Sequence, residues 1–217
     1  MTNTSVEQQP LQSAARDGRA VAMFLAVVVV LLAADLVSKA LAFEHVAGEP
    51  VELNATQDPH VDVVPRHDAI IVIPKVLALK LTLNHGAVFG IGQGARWLFI
   101  AITVIAITAI GIVFWKTDRR ARATQIALAL VLAGALGNLY DRMFYGAVRD
   151  LLWLFPGVNL PFGLAWPGGS RDLYPWIFNL ADVALVLGVL TILCILFFAK
   201  HPEEQTTKTP ELEKSNV

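Results

Sequence analysis

Four stretches of about 20 residues in this chain are nearly free of charge, and they limit the folds open to it more than any other feature. They cover residues 20–43, 97–115, 124–145 and 176–199. A helix of about 20 residues rises about 30 Å, the thickness of a bilayer's hydrocarbon core. Inside that core each peptide N–H and C=O must be bonded within its own segment, so each run is expected to be a membrane-crossing α-helix. One such run is also compatible with a buried helix of a soluble domain. Four in a chain of 217 residues, 55% hydrophobic and only 16% charged, predict a mainly α membrane protein built on a four-helix transmembrane bundle. Ala40-Leu41-Ala42 mimics a leader-cleavage site. The run before it is longer than a leader's apolar core and holds Asp35 and Lys39, so an uncleaved helix is expected.

The connecting segments divide the remainder. Residues 1–19 read as a polar, mobile lead and residues 201–217 as a polar tail, flanking a four-span domain at 20–200. Residues 44–94 are punctuated by Pro50, Pro59, Pro65 and Pro74, with alternating β-branched pieces at 68–73 and 76–83. This pattern predicts a small strand-rich cradle outside the bilayer. The segment 146–175 is broken by Pro156, Pro161, Pro167 and Gly168-Gly169. Lys116, Arg119, Arg120 and Arg122 crowd the loop between the second and third runs, and Arg16 and Arg19 precede the first. The positive-inside rule puts these in the cytoplasm, so both termini are expected inside and the segments 44–94 and 146–175 outside.

Several chemistries find little support. A net charge of −1 leaves no basic footprint for nucleic acid. The one cysteine, Cys194, has no disulfide partner within the chain. Asp58, His60, Asp62 and His67 lack a helical metal-ligand spacing, so no metal or other cofactor is expected. The glycines at 86, 90, 92 and 94 lack the Lys-Ser/Thr of a phosphate loop. Asn54-Ala55-Thr56 fits a glycosylation sequon, a pattern that arises often by accident.

The ionisable residues within or beside the spans are more informative, because a charge in a bilayer is costly and marks function by default. Asp35 lies roughly 24 Å along the first run, close to its outer end. Asn138, Asp141 and Arg142 occupy the outer part of the third run, Asp150 follows it, and Asn179 and Asp182 open the fourth. Helical spacing lets Asp35 pair with Lys39, puts Asn138 on the face of Asp141 and Arg142, and lets the Asn179 amide orient or hydrogen-bond the Asp182 carboxylate. Two carboxylates brought together share a proton, so one acts as a base while the other acts as an acid. Such a pair activates water against a peptide carbonyl with neither metal nor nucleophilic side chain. By spacing alone, any two of Asp35, Asp141, Asp150 and Asp182 qualify, and an interfacial salt bridge or a polar lock between helices explains the same residues.

Five ordered blocks then resemble the bacterial lipoprotein signal peptidase (signal peptidase II) family. They are Asp35-Leu36-Val37-Ser38-Lys39, Asn84-His85-Gly86-Ala87-Val88-Phe89-Gly90, the stretch Gly134 to Arg142, Gly146-Ala147-Val148-Arg149-Asp150 and Phe178-Asn179-Leu180-Ala181-Asp182. The resemblance implies that Asp150 and Asp182 are the catalytic pair. It implies that Asp35, Lys39, Asn84, Gly86, Ala87, Gly137, Asn138, Asp141, Arg142, Asn179 and Ala181 support that pair or bind substrate. It further implies an aspartic endopeptidase of the bacterial inner membrane, with its site near the outer face. The implied substrate is a diacylglyceryl prolipoprotein, cut on the amino side of the lipidated cysteine, and the implied partners are membrane lipids around a monomer. Arg149 stands where the family pattern suggests an apolar residue, and a guanidinium beside Asp150 is expected to favour its ionised form. The segment 153–175 is longer than the family suggests: it reads as either an interfacial flap or a tolerated insertion. Two rivals remain: an ion-coupled transporter, which predicts midplane carboxylates and internal repeats, and a non-catalytic lipid-binding protein, which predicts tolerance of Asp→Asn changes.

Overall fold

The computed structural model describes residues 12–53, 63–86 and 95–199. Four long helices, α1 (Gly18–His45), α2 (Arg96–Lys116), α3 (Arg122–Phe144) and α4 (Leu180–Ala199), are each long and apolar enough to cross a membrane. A four-stranded sheet joins them: β1 (Ile70–Ile73), β2 (Leu77–Asn84), β3 (Val148–Leu154) and β4 (Ile177–Phe178). The strands lie in chain order, every neighbour antiparallel.

The ends of the helices follow from local chemistry. α1 opens on Asp17, whose carboxylate accepts from the backbone N–H of Arg19 (2.9 Å) and Ala20 (3.0 Å). These bonds satisfy two of the donors that a helix start leaves bare. The fourth helix begins at Leu180, later than the apolar run at 176 suggests, because Ile177 and Phe178 pair with Trp153 and Leu152 as β4. Residues 12–17, expected as part of a mobile lead, instead clasp the α2–α3 turn. Ala14 N donates to Thr117 O (2.7 Å), Arg119 N to Gln12 O (2.8 Å) and Gln12 N to Asp118 Oδ2 (3.1 Å).

Helix α3 is the centre of the bundle. Half of its most apolar window is buried (50%), against 22%, 17% and 17% for α1, α2 and α4. Small residues permit this. A Cβ on Gly134 would meet the Ala181 carbonyl and Leu185 of α4, and one on Gly137 would meet Asp35 of α1 and Ala181. At the end near residues 12–17, Phe24, Val28, Ile110, Phe114, Leu128 and Ala133 form an apolar core, with the Phe24 and Phe114 rings 4.2 Å apart. Outward residues such as Leu25, Ile105 and Leu190 stay exposed, as side chains that face hydrocarbon do.

The sheet lies at the opposite end, where Ala42 and Phe43 of α1 and Val46 just beyond it pack against Leu81 of β2 and Leu151 of β3. The sequence places the strand-rich cradle within 44–94, but only β1 and β2 come from there. β3 and β4 come from the segment after α3, where the apolar run Val148–Leu154 pairs along β2 in the register Thr82↔Asp150, Leu83↔Arg149, Asn84↔Val148. Successive strand residues face opposite ways, so Arg149 and Asp150 leave β3 on different faces.

Candidate functional site

Apart from Gln125, whose amide donates to the Asp118 carbonyl at the α2–α3 turn, the buried polar residues of the bundle belong to two joined sets. In the first, Lys39 of α1 is fully buried and binds Asp35 Oδ2 at 2.8 Å, one helical turn away. The same ammonium binds Asp141 Oδ2 of α3 at 3.1 Å and donates to Asn138 Oδ1 at 3.3 Å. Asp141 also takes Arg149: Nη2 at 2.8 Å, Nε at 3.1 Å and the backbone N–H at 3.0 Å. Two anions and two cations thus alternate as Asp35, Lys39, Asp141, Arg149, which is how buried charges are tolerated. The Arg149 guanidinium also lies 4.3 Å from the Tyr145 ring centroid. Asp35 reaches further, since its Oδ1 accepts the backbone N–H of Ala181 in the first turn of α4 (2.9 Å).

In the second set the partners are amides. Asn179 and Asp182 cap α4 reciprocally: Asn179 N donates to Asp182 Oδ2 (3.1 Å) and Asp182 N to Asn179 Oδ1 (3.0 Å). This is the capping-box arrangement, with the N-cap and third helical residues exchanging bonds. Asn179 Nδ2 then donates to Asp150 Oδ1 (2.6 Å) and Asn138 Oδ1 (3.2 Å), while Asn138 Nδ2 donates to Asp182 Oδ1 (2.8 Å). Asn84 Nδ2 donates to the other Asp150 oxygen at 3.3 Å. Among the described residues, neither Asp150 nor Asp182 forms an ion pair. Asp150 is buried and Asp182 half-buried. Burial first, and then the neighbouring Asp182 charge, push the Asp150 carboxyl up to about 8, against the opposing hydrogen bonds from Asn179 and Asn84 and the charge of Lys39. An acid in that range is protonated at neutral pH and is able to donate to an oxygen.

Asn84 Oδ1 accepts from Gly86 N (3.1 Å), and the Gly86 carbonyl accepts from Arg142 Nη2 (3.3 Å). Arg142 Nη1 donates to the Asn138 carbonyl at 3.4 Å, so one guanidinium joins the end of β2 to α3. Ala87 lies outside the described residues, as do Asp58, His60, Asp62, the Asn54-Ala55-Thr56 sequon and the rest of the glycine run. His67, the remaining residue of the loop considered for metal binding, has both ring nitrogens on backbone: Nδ1 to Pro65 O (2.7 Å) and Nε2 to Leu81 N (3.0 Å).

Sequence reasoning needs one correction at this site. Arg149 was expected to favour the ionised form of Asp150, but strand alternation sends it to Asp141, and Asp150 is pushed toward its neutral form. The Asn179 amide, expected to orient or hydrogen-bond Asp182, orients it through Oδ1 on the Asp182 N–H, while its Nδ2 goes to Asp150 and its backbone N–H binds the Asp182 carboxylate. One participant was missed. Tyr174, in the segment before β4, has its phenol pushed up by burial and then by the charges of Asp182 and Asp150, so it stays a hydroxyl within the field of both carboxylates. The only hint in the sequence was an aromatic cluster just ahead of the fourth apolar run.

Residues 27–198 match the peptidase A8 family, described as signal peptidase (SPase) II. A lipoprotein signal peptidase of Desulfitobacterium hafniense is 32% identical over 139 residues, which cover 64% of this chain and 81% of that protein. One of Geobacillus kaustophilus is 34% identical over 137 residues (63% and 80%), and one of Latilactobacillus sakei is 36% identical over 121 residues (56% and 70%). A bacterial membrane enzyme solved by the in meso method at 2.3 Å superposes with a TM-score of 0.63 at 27% identity, over 87% of this chain and 96% of that one. A second, solved at 1.9 Å, gives 0.58 at 29% identity, over 81% and 93%.

Proposed function

The chain belongs to the signal peptidase II family of aspartic peptidases, and on that premise we propose that it removes the signal peptide from diacylglyceryl-modified prolipoproteins by cutting on the amino side of the lipidated cysteine. Asp150 and Asp182 are the catalytic pair. The protonated Asp150 donates to the scissile carbonyl oxygen, and ionised Asp182 takes a proton from the attacking water. The resulting diol collapses as Asp182 passes its proton to the leaving amine of the cysteine and Asp150 takes one back from a diol hydroxyl, which regenerates the pair. Asn179, Asn84 and Asn138 hold the two carboxyl groups, while Asp35, Lys39, Asp141, Arg149 and Gly137 hold the helices that carry them. Arg142 and the turn at Gly86 and Ala87 border the substrate.

One observation carries the choice of pair. Asn179 binds Asp150 with its side chain and Asp182 with its backbone, and neither carboxylate meets a cation among the described residues. Asp35 and Asp141 are instead neutralised by Lys39 and Arg149, which suits a lock better than an acid. The transporter reading gains nothing from this arrangement, because Asp150 lies on a sheet strand and Asp182 in the first turn of a helix.

The enzyme works as a monomer among membrane lipids, multi-pass in the bacterial inner membrane, with the sheet and site on the outer side. The basic residues at 116–122, together with Arg16 and Arg19, support that orientation, with residues 1–19 and 201–217 in the cytoplasm. The test uses purified protein and a diacylglyceryl prolipoprotein, scored by the appearance of the shortened product. Asp150→Asn and Asp182→Asn are each expected to yield none while still inserting in membranes. Full activity of Asp182→Asn would sink the assignment.

A further inference from the structure

The segment between β3 and β4 is largely outside the chemistry above. From Leu151 in β3 to Ser170 the chain contains no Asp, Glu, Lys, Arg or His, although this stretch lies outside the four helices. Its tip, Pro161-Phe162-Gly163-Leu164-Ala165, is exposed at every position, with Phe162 98% and Leu164 57% accessible. A bare apolar tip in water is unfavourable and marks a surface made to be covered.

The tip is firmly held. Asn159 and Asp172 bridge the base of the segment in antiparallel fashion, Leu160 N donates to Arg171 O (2.7 Å), and Leu173 N donates to Val158 O (2.7 Å). The Trp166 backbone N–H donates to Ser170 O (2.8 Å) and its indole to Asp172 O (3.0 Å). Phe162 itself adopts φ 60°, ψ 18°, a left-handed conformation that bulky residues seldom take. The fold thus presents a large apolar side chain at a fixed point.

We propose that Pro161–Ala165 is a membrane anchor, inserted among the acyl chains of the leaflet that borders the start of α4. Continuity with the membrane surface identifies lipid as the occupant. The segment runs through β4 directly into α4 at Leu180, where a membrane-crossing helix begins. Between the tip and that boundary, Trp166 meets Trp176 edge-on at 4.7 Å, and Trp176 meets Tyr174 at 5.2 Å. Trp and Tyr concentrate at the headgroup level. The absence of charge over the twenty residues 151–170 suits acyl chains rather than phosphates or a charged protein partner. Through the ring chain the anchored tip also fixes Tyr174, whose phenol feels both Asp182 and Asp150.

The test measures depth and does not depend on peptidase activity, so its outcome is separate from that of the cleavage assay. Exposed Cys194 is first replaced by Ala. Single spin labels are then placed by Phe162→Cys, Leu164→Cys, Asp68→Cys as the aqueous reference, and Ile105→Cys as the lipid-facing reference. The full-length protein is reconstituted in phosphatidylcholine–phosphatidylglycerol vesicles, and relaxation by oxygen is compared with relaxation by a water-soluble nickel chelate. Labels at 162 and 164 are expected to show an oxygen-to-nickel ratio several-fold above that at 68 and close to that at 105. A ratio at either position matching that at 68 would overturn the anchor. Dipolar broadening between copies would overturn it too, by assigning the tip to a second molecule of the chain.

Discussion

Asp35 and Asp141 stand against Lys39 and Arg149, while Asp150 and Asp182 stand against asparagines, although Asn138 touches both groups. The same side chain type therefore serves two ends within one polar core. Where a cation neutralises the carboxylate, the energy goes into joining α1, α3, α4 and β3 at fixed distances. Where asparagines bind the carboxyl groups and no cation pairs with them among the described residues, one acid keeps its proton, as a proton-transfer pair requires. On the proposed assignment, what separates a lock from a reaction centre is the partner, since both sets lie at the same end of the bundle.

The comparison breaks most visibly in activity. Asp150→Asn and Asp182→Asn are expected to abolish cleavage with a smaller loss of thermal stability than removal of a buried cation, because the amide fills the same space and loses one accepted hydrogen bond rather than leaving a charge unpaired. Lys39→Met should do the reverse in kind. It leaves Asp35 and Asp141 buried without their shared cation, at a cost of about 3–5 kcal/mol, visible as a lower midpoint of thermal unfolding in detergent. An Asp150→Asn protein that unfolds as readily as Lys39→Met would erase the distinction between the sets. Arg149→Lys is expected to have a smaller effect, about 1–3 kcal/mol, because a lysine cannot supply both the Nε and Nη2 bonds to Asp141. If Arg149→Lys leaves stability untouched, Asp141 is held by Lys39 and backbone alone. Smallest of all, Asn84→Ala removes a 3.3 Å bond that favours ionised Asp150, so the Asp150 pKa should rise further while several-fold activity is lost. A fall in that pKa would contradict the role given to Asn84.

Much of this was legible in the sequence. Four nearly uncharged runs predicted the helices, and the i, i+4 spacing of Asp35 and Lys39 predicted their pairing. The strand pattern at 68–83 anticipated β1 and β2. Membership of β3 in the same sheet was hidden, because Val148–Leu154 is a short apolar run with one charged pair, and its strand partner lies across α2 and α3 in sequence. The fate of Arg149 was hidden for the same reason: only pairing with β2 fixes which face of β3 meets Asp141. Spacing alone left four carboxylates as equal candidates. What separates them is the identity of their neighbours, a tertiary property that adjacency in sequence misrepresents, since Arg149 is next to Asp150 in the chain and bound to Asp141 in space.

The most direct measurement of the central claim is the protonation state of Asp150. In protein carrying carboxyl-labelled aspartate, the Asp150 resonance is assigned by its loss in Asp150→Asn and followed by carbon NMR across pH. A folded-state pKa raised to about 8 means the proton is held through neutral pH and lost as pH rises through that value, and cleavage should decline along the same limb. Asp182→Asn, by removing the neighbouring charge, should move the midpoint down. An Asp150 that titrates in the ordinary carboxylate range, near 3.8, and ignores Asp182→Asn would contradict the account.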